Sequence, residues 1–582
     1  MNFIHYFWPD LIYQNENFIR CLTTPIVKAF HKNVEKIFYT NKDYNDWSLI
    51  TPNLKNWKIK YYKGLGTSTP AEAKSYFKDI SKKIINYEFD DKTDESLKKA
   101  FSKDKTDERK DWLIHYNPDD ILDNNEKKVS ISNFINKELI HFSNNDILRS
   151  IPNIIDGFKP SQRKIIYGCL QSNLDKNGTE MKVSQISGKI SALTSYHHGE
   201  MSLQGAIINL AQDYMGSNNI NLLNPIGQFG TRLMSGHDSA SCRYIFTSVN
   251  KILQYILRKE DECILEDNFD DGLKIEPKSY LPIIPLILVN GAIGIGTGFS
   301  CNIPCYNIKE IIKIIKNKIL QKNCSTDLIP YFRKFKGTVK KIDDQTFEVS
   351  GNFHRKNKEI IISELYPGFS TQAYKEYLMK LEESKKIISF TDNNTDEEIY
   401  FTIKMNNIPK NDEEIFVLFK LKKMIRTTNM HLFTSNYKNR KSHIKKYNST
   451  EEIINDFLEI RLEAYNDRKN CLLQNLEEEL IILENKIRFI SSVINDEIIV
   501  HKLPENSLIQ ILKEKEFYYC KKQKFDYLIN ISFRQTCQDN IAKLNLLYKK
   551  KKEFYDKYKN TSIQDIYLEE LKDLETNLSF SV

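Results

Sequence analysis

None of the ten cysteines forms a CxxC pair with another. Cys301 and Cys305 lie closest together, and no further Cys or His pair stands nearby to complete a tetrahedral zinc site, so a structural metal is not expected. Scattered thiols without a secretory leader point to a reducing compartment. Long apolar runs are lacking too. The most apolar stretch, "YLPIIPLILVNGAIGIGTGF", is broken by Pro282, Pro285 and its glycines. That composition interrupts a membrane helix and predicts buried strands and turns instead. The glycines of "GAIGIGTGF" have no following Lys-Ser/Thr, which excludes a nucleotide phosphate loop. A strong charge of one sign is also missing. Lys and Arg number 85 against 77 Asp and Glu, a net +8 that does not by itself argue for a nucleic-acid partner. There the placement of the cations matters more than their sum. No internal repeat is present.

At 582 residues the chain exceeds what one hydrophobic core can serve, so several domains are expected. Residues 1–98 read as a mixed α/β piece. In it "FIHYFWPDLI" has the spacing of an amphipathic helix, and "NWKIKYYKGLG" reads as a strand entering a glycine turn. Thr69 and Pro70 are placed to cap and open a helix over "TPAEAKSYFKDISKKI". Residues 99–145 are charged and read as a connector. From 146 to 285 short helices alternate with polar turns, and Pro160 opens one whose first turn carries Arg163 and Lys164. Cations beside free helix N–H groups make a phosphate-facing surface. Residues 286–445 read as β-rich. In 446–582, Leu473, Leu476, Leu480, Leu483, Ile487, Ile490 and Ile494 recur at steps of three and four, a heptad seam. A second seam through Ile541, Leu544, Tyr548, Tyr555 and Tyr558 predicts an antiparallel coiled coil. The run Lys549–Lys552 reads as its solvated face.

The stretch "GHDSASCRYIFTSV" places Tyr244 directly after Arg243. A phenol ionises near pH ~10 and is a weak nucleophile without a neighbouring cation, base or metal. Arg243 could supply the cation, and His197 or His198 of "TSYHHGEMSL" a proton-transfer group. Residue type and spacing alone leave open whether Tyr244 is a core aromatic or a nucleophile.

Longer strings narrow the choice. "IPNIIDGFKPSQRK", "SYHHGEMSLQGAIINLAQ", "NLLNPIGQFGTR", "DSASCRYIFT" and "LVNGAIGIGTGFS" follow one another in the order of the breakage-reunion core of a eukaryotic-type (type IIA) DNA topoisomerase II, which this chain resembles. "YYKGLGTSTPAEAKSYF" resembles the end of that family's TOPRIM domain, and the heptad pair its coiled-coil arm and exit gate. The resemblance implies an α+β multidomain fold. Its parts are the C-terminal part of TOPRIM over 1–98, a connector over 99–145, and a winged-helix DNA-binding domain over 146–285. A β-rich tower over 286–445 and a long antiparallel coiled coil with an exit gate over 446–582 follow.

It further implies that Tyr244 attacks a DNA phosphodiester and becomes joined to the 5′ end, with Arg243 stabilising the transition state and His198 near the reacting phosphate. Lys159, Arg163, Lys164, Tyr196, Ser202 and Lys63 match backbone-contacting positions, and Ile295 matches a side chain that wedges between base pairs. Implied partners are double-stranded DNA and a second copy of the chain, and the implied setting is the nucleus. The family's Mg²⁺ site uses a glutamate and an Asp-x-Asp pair placed before the text this chain starts with, and its ATPase lies earlier still. Mg²⁺ and ATP are therefore expected to bind outside this chain, on a second polypeptide or on the remainder of a longer one. Two departures stand out: Cys242 where a proline is usual, and Ser370 where a tryptophan is usual. The rival reading is a non-catalytic DNA-bending protein built on the same core.

Overall fold

The computed structural model describes residues 1–15, 18–78, 80–123, 126–176, 178–270, 272–322, 326–434, 443–500, 504–521 and 523–578. The α+β multidomain architecture expected from the sequence is the one found. The first expected helix is two short ones, Asn2–Phe7 and Asp10–Tyr13. Pro9 between them has no N–H to give and its ring crowds the preceding turn. Strand Val27–His31 pairs antiparallel with both Val34–Phe38 and Lys58–Tyr61. After the turn at Gly64, helix α1 (Pro70–Lys78) opens on a reciprocal cap. The Glu72 amide donates to Thr69 Oγ1 at 3.3 Å, and the Thr69 amide to Glu72 Oε2 at 2.7 Å. The Tyr62 hydroxyl, the Thr69 amide and Lys60 hold the Glu72 carboxyl down at about 2. The charged stretch 99–145 carries helices Thr106–Ile114 and Ile131–Phe134. Within it Ile131 and Ile135 share a small core with Ile12 and Leu97.

Helix α2 (Ile140–Ser150) leads into α3 (Pro160–Gln171), α4 (Val183–Thr194) and α5 (Glu200–Ala211). Three short strands, β1 (Met181–Lys182), β2 (Leu223–Ile226) and β3 (Phe246–Val249), form an antiparallel sheet ordered β1-β3-β2, the layout of a winged helix. The apolar stretch 280–299 departs in part from expectation. Its middle is a short helix with a fully buried apolar run, Leu286–Asn290, and only then comes strand β4 (Ala292–Ile295). β4 hairpins onto β5 (Ser300–Ile303), and the sheet continues through β6 (Met430–Thr434) to β7 (His443–Tyr447). No described helix is long and apolar enough to cross a membrane.

Between β5 and β6 stand two further antiparallel sheets, and the one containing strands Glu359–Glu364 and Phe401–Lys404 packs over a separate core that includes Ile360, Tyr374, Phe401 and Phe419. There Ser370 caps helix Thr371–Glu383, its Oγ accepting the Ala373 amide at 3.2 Å, while Phe369 packs on Tyr366 and Tyr374. A tryptophan at 370 could not accept that bond. The 45-residue helix α6 (Thr450–Ile494) runs antiparallel to α7 (Gln538–Asn560). Lys469 Nζ donates to Thr561 O at 2.7 Å, while Glu477 and Glu479 meet Tyr555 and Lys551. The final helix α8 (Ile563–Asn577) returns Tyr567, Leu571 and Leu574 to the same large core that holds α3, α4 and α5.

Candidate functional site

The loop carrying Arg243 and Tyr244 is gripped by its backbone and open at its side chains. The Ser184 amide donates to Cys242 O at 3.0 Å and the Val183 amide to Ile245 O at 3.0 Å, so the loop is laced to the start of α4. Ala240 N donates to Gln228 O at 2.9 Å, Tyr244 N to Ser241 O at 2.9 Å, and Ile245 is buried. β3 then continues the chain into the sheet. Tyr244 is left 73% exposed, and Arg243 is exposed beside it. Such exposure excludes the core-aromatic reading. Among the described residues neither side chain has a hydrogen-bond or ion-pair partner, so a phosphate would find the guanidinium fork uncommitted. The pinned backbone fixes where the two side chains start, so only their rotamers remain to be ordered when a phosphate arrives.

His198 lies between α4 and α5, where Gly199 (φ +87°) makes the turn. Its Nδ1 faces Arg149 Nη1 at 3.4 Å and its ring meets that of Tyr196 edge-on, centroids 5.5 Å apart. Partial burial, then the charges of Arg149, His197 and Lys164, hold the imidazole below its ordinary value of 6.5, so it is largely uncharged at pH 7. The Tyr196 hydroxyl donates to Ser202 Oγ at 3.3 Å. Tyr196, His198, Ser202 and Arg149 thus form one cluster. Arg149 is the member the sequence reading leaves out: it sits on α2, 49 residues before His198, and no local pattern marks it.

The three basic residues near Pro160 separate. Lys159 is half-buried and donates to the Ile293 carbonyl at 2.8 Å, with burial lowering its pKa. Lys164 Nζ donates to Thr194 O at 2.7 Å and Glu276 Oε2 at 2.9 Å. Arg163 is turned inward, 8% exposed, with Nε 2.7 Å and Nη2 3.1 Å from the two oxygens of fully buried Asp156. A phosphate-facing first turn was expected of both Arg163 and Lys164, and neither points freely outward. Lys63 reaches across from the 1–98 piece, its Nζ 2.5 Å from His197 Nε2 and 3.1 Å from Asp270 Oδ2. Lys63, and then His197, hold the Asp270 carboxyl below the usual range despite its burial.

Ile295 is no core side chain: it stands 81% exposed on edge strand β4. Cys242 sits half-buried two residues before Tyr244, and burial raises its thiol pKa. Among the described residues no group of three or more His, Cys, Asp or Glu side chains is placed to hold a metal ion.

Comparisons with known proteins identify the family of the chain. The family model for the A subunit of DNA gyrase/topoisomerase IV matches residues 149–573, and the C-terminal associated domain of TOPRIM matches residues 22–147. The chain is 42% identical over 532 residues to DNA topoisomerase 2 of Arabidopsis thaliana, an alignment covering 89% of this chain and 35% of that protein. It is 38% identical over 622 residues to DNA topoisomerase 2 of Plasmodium falciparum, covering 100% of this chain and 44% of that one. The crystal structure of the Plasmodium falciparum topoisomerase II DNA-binding, cleavage and re-ligation domain matches with a TM-score of 0.86 at 38% identity, over 100% of this chain and 82% of that chain. The chain spans less than half the length of these curated relatives.

Proposed function

The chain belongs to the type IIA DNA topoisomerase family, and from that premise we propose that it is the part of such an enzyme that cuts and rejoins duplex DNA. The observation that carries this reading is the Arg243–Tyr244 pair, presented outward from a loop whose backbone is held on both sides. In the forward step the Tyr244 oxygen gives up its proton and bonds to phosphorus, and the bond from phosphorus to the 3′ oxygen breaks; that oxygen takes up a proton, leaving a 3′ hydroxyl and a 5′-phosphotyrosyl ester. The ester conserves the backbone linkage, so the reverse attack by the 3′ hydroxyl reseals the strand without outside energy. Arg243 balances the charge that grows on the non-bridging oxygens. His198, neutral at pH 7, is able to take up a proton or donate a hydrogen bond beside the reacting phosphate. Lys159, Tyr196, Ser202 and Lys63 give the DNA backbone its polar and cationic contacts, Arg163 and Lys164 order the turn beneath them, and Ile295 bends the duplex.

Two copies, each cutting one strand, form a dimer with paired sites across the gate duplex. The divisions at 98, 145, 285 and 445 mark TOPRIM piece, connector, winged helix, tower and coiled coil. Mg²⁺ supplies Lewis-acid stabilisation in this family. The described residues offer no cluster to hold it, so this chain's side chains contribute binding, orientation and the nucleophile. Mg²⁺ and ATP act through segments outside this chain, and the nucleus is the setting. The matched crystal structure is of a DNA-binding, cleavage and re-ligation domain, which does not favour the non-catalytic, DNA-bending reading.

The test is covalent trapping. End-labelled duplex DNA is incubated with the chain and Mg²⁺, with and without a second polypeptide carrying the family's acidic triad, and then denatured. Label on the chain that disappears in Tyr244→Phe is the expected result. Tight binding with no label in either mixture sinks the catalytic reading.

A further inference from the structure

Ile295 does not stand alone. Ile293, on the same strand β4, is 75% exposed, and Gly294 between them is buried. Successive strand residues face opposite ways, so Ile293 and Ile295 share one outward face. That face is fixed from behind. A side chain on Gly294 would meet the Ser150 carbonyl oxygen at 2.1 Å, and one on Gly296 the Ile147 backbone at 3.1 Å. The strand therefore lies directly on α2 and cannot roll its isoleucines inward. Lys159 pins it again, donating to the Ile293 carbonyl at 2.8 Å. The partner strand gives no cover, since β4 is the edge of its sheet, with Ile293 opposite Asn302 and Ile295 opposite Ser300.

Two branched apolar side chains held out on a rigid edge strand are not explained by packing within this chain. Residues two apart on a strand are separated by roughly 6.5 Å. Stacked base pairs are about 3.4 Å apart, so the spacing matches two base steps. We propose that Ile293 is a second DNA-contacting wedge, entering the duplex two base steps from Ile295 and sharing the bend with it. This rests on the DNA-gate reading above and adds a residue to it. A pair of wedges divides the unstacking between two places, each costing a few kcal/mol, and fixes the direction of the bend as one wedge would not.

The experiment uses the full chain and a linear duplex carrying a donor and an acceptor dye at its ends. Wild-type chain shortens the end-to-end distance. Ile293→Ser and Ile295→Ser are each expected to reduce the bend, the double variant to abolish it, and each single change to weaken binding on the order of tenfold, the factor given by about 1.4 kcal/mol of lost apolar contact. Ile293→Val should retain most of the bend, and the thermal midpoint of all four variants should match wild type because both side chains are exposed. A full wild-type bend in Ile293→Ser beside a reduced one in Ile295→Ser overturns this inference and leaves the gate reading intact. No change in either variant overturns the wedge reading as a whole.

Discussion

A guanidinium buried as deeply as that of Arg163 needs a counter-charge, and Asp156 supplies it bidentately at 2.7 and 3.1 Å. The remaining capacity of Asp156 is used as well. Its Oδ1 accepts the Phe158 amide at 3.0 Å and its Oδ2 the Tyr280 amide at 3.1 Å, which ties the turn before α3 to the apolar stretch that begins at 280. Replacing Arg163 by alanine leaves that carboxylate buried and unpaired, with an expected loss of about 3–5 kcal/mol of stability. Denaturant unfolding of the variant measures this. DNA titrations over a salt series separate the two roles: a direct phosphate contact lowers the slope of log K against log salt by about 1, and an inward pair leaves it unchanged. The unchanged slope is expected for Arg163→Gln, which removes the charge but can still donate a hydrogen bond to Asp156. At this scale the family is legible in strings that are long and local, such as the one around Arg243 and Tyr244. A side chain's direction is not legible where it depends on a partner elsewhere. Lys63 meets Asp270 across 207 positions, and nothing near either residue announces it.

Among the elements, strand β4 is short and firmly held. Its register with β5 runs without a bulge from Ala292↔Ile303 to Ile295↔Ser300, and α2 supports it from below. Gly294 is required there for closeness of approach. Gly294→Ala is expected to push β4 off the Ser150 carbonyl, shift both isoleucines together, and reduce DNA bending at least as much as Ile295→Ser. End-to-end energy transfer on the labelled duplex checks it, and a Gly294→Ala chain that bends DNA like wild type removes α2 from the argument. The alternation Ile-Gly-Ile was visible in the sequence, but its meaning was not, because a buried strand and an exposed edge strand can carry the same letters. The coiled coil was easier. Its period extends over many turns, and both seams lie buried or half-buried where the three-four spacing put them. The helix over 286–290 was missed because so short an apolar run cannot show a period.

Across the whole molecule, helices α6 and α8 are fastened by charge to the segment that follows β3. Arg461 and Arg468 of α6 are each 1% exposed, and both reach Asp261, which lies between β3 and β4. Arg461 holds Asp261 at 2.8 and 3.1 Å. Arg468 spans to Glu570 of α8 at 2.5 Å, where the Tyr465 hydroxyl also donates at 2.7 Å. The Tyr465 ring lies between the two guanidiniums, 4.2 and 4.5 Å from them. Burial works against the charge on both arginines, and the two carboxylates overcome it, raising both pKa values. Desolvated charges of this kind add little net stability when complete and cost much when broken. Their effect is therefore on which elements move together. Asp261→Asn keeps the shape and removes the charge that both arginines share, with an expected loss of about 3–5 kcal/mol. Because the sheet containing strands Glu359–Glu364 and Phe401–Lys404 has its own core, that loss should be local. Hydrogen exchange is expected to quicken along 450–468 and around 563–574, with amides near Tyr374 and Phe401 keeping their protection. The Tyr244 loop is laced to α4 and β1, away from this network, so covalent trapping of short duplexes should survive in the same variant. Exchange that quickens evenly throughout the chain would show instead that α6, α8 and the core around α3–α5 form one cooperative unit, with Asp261 only one of many contacts between them.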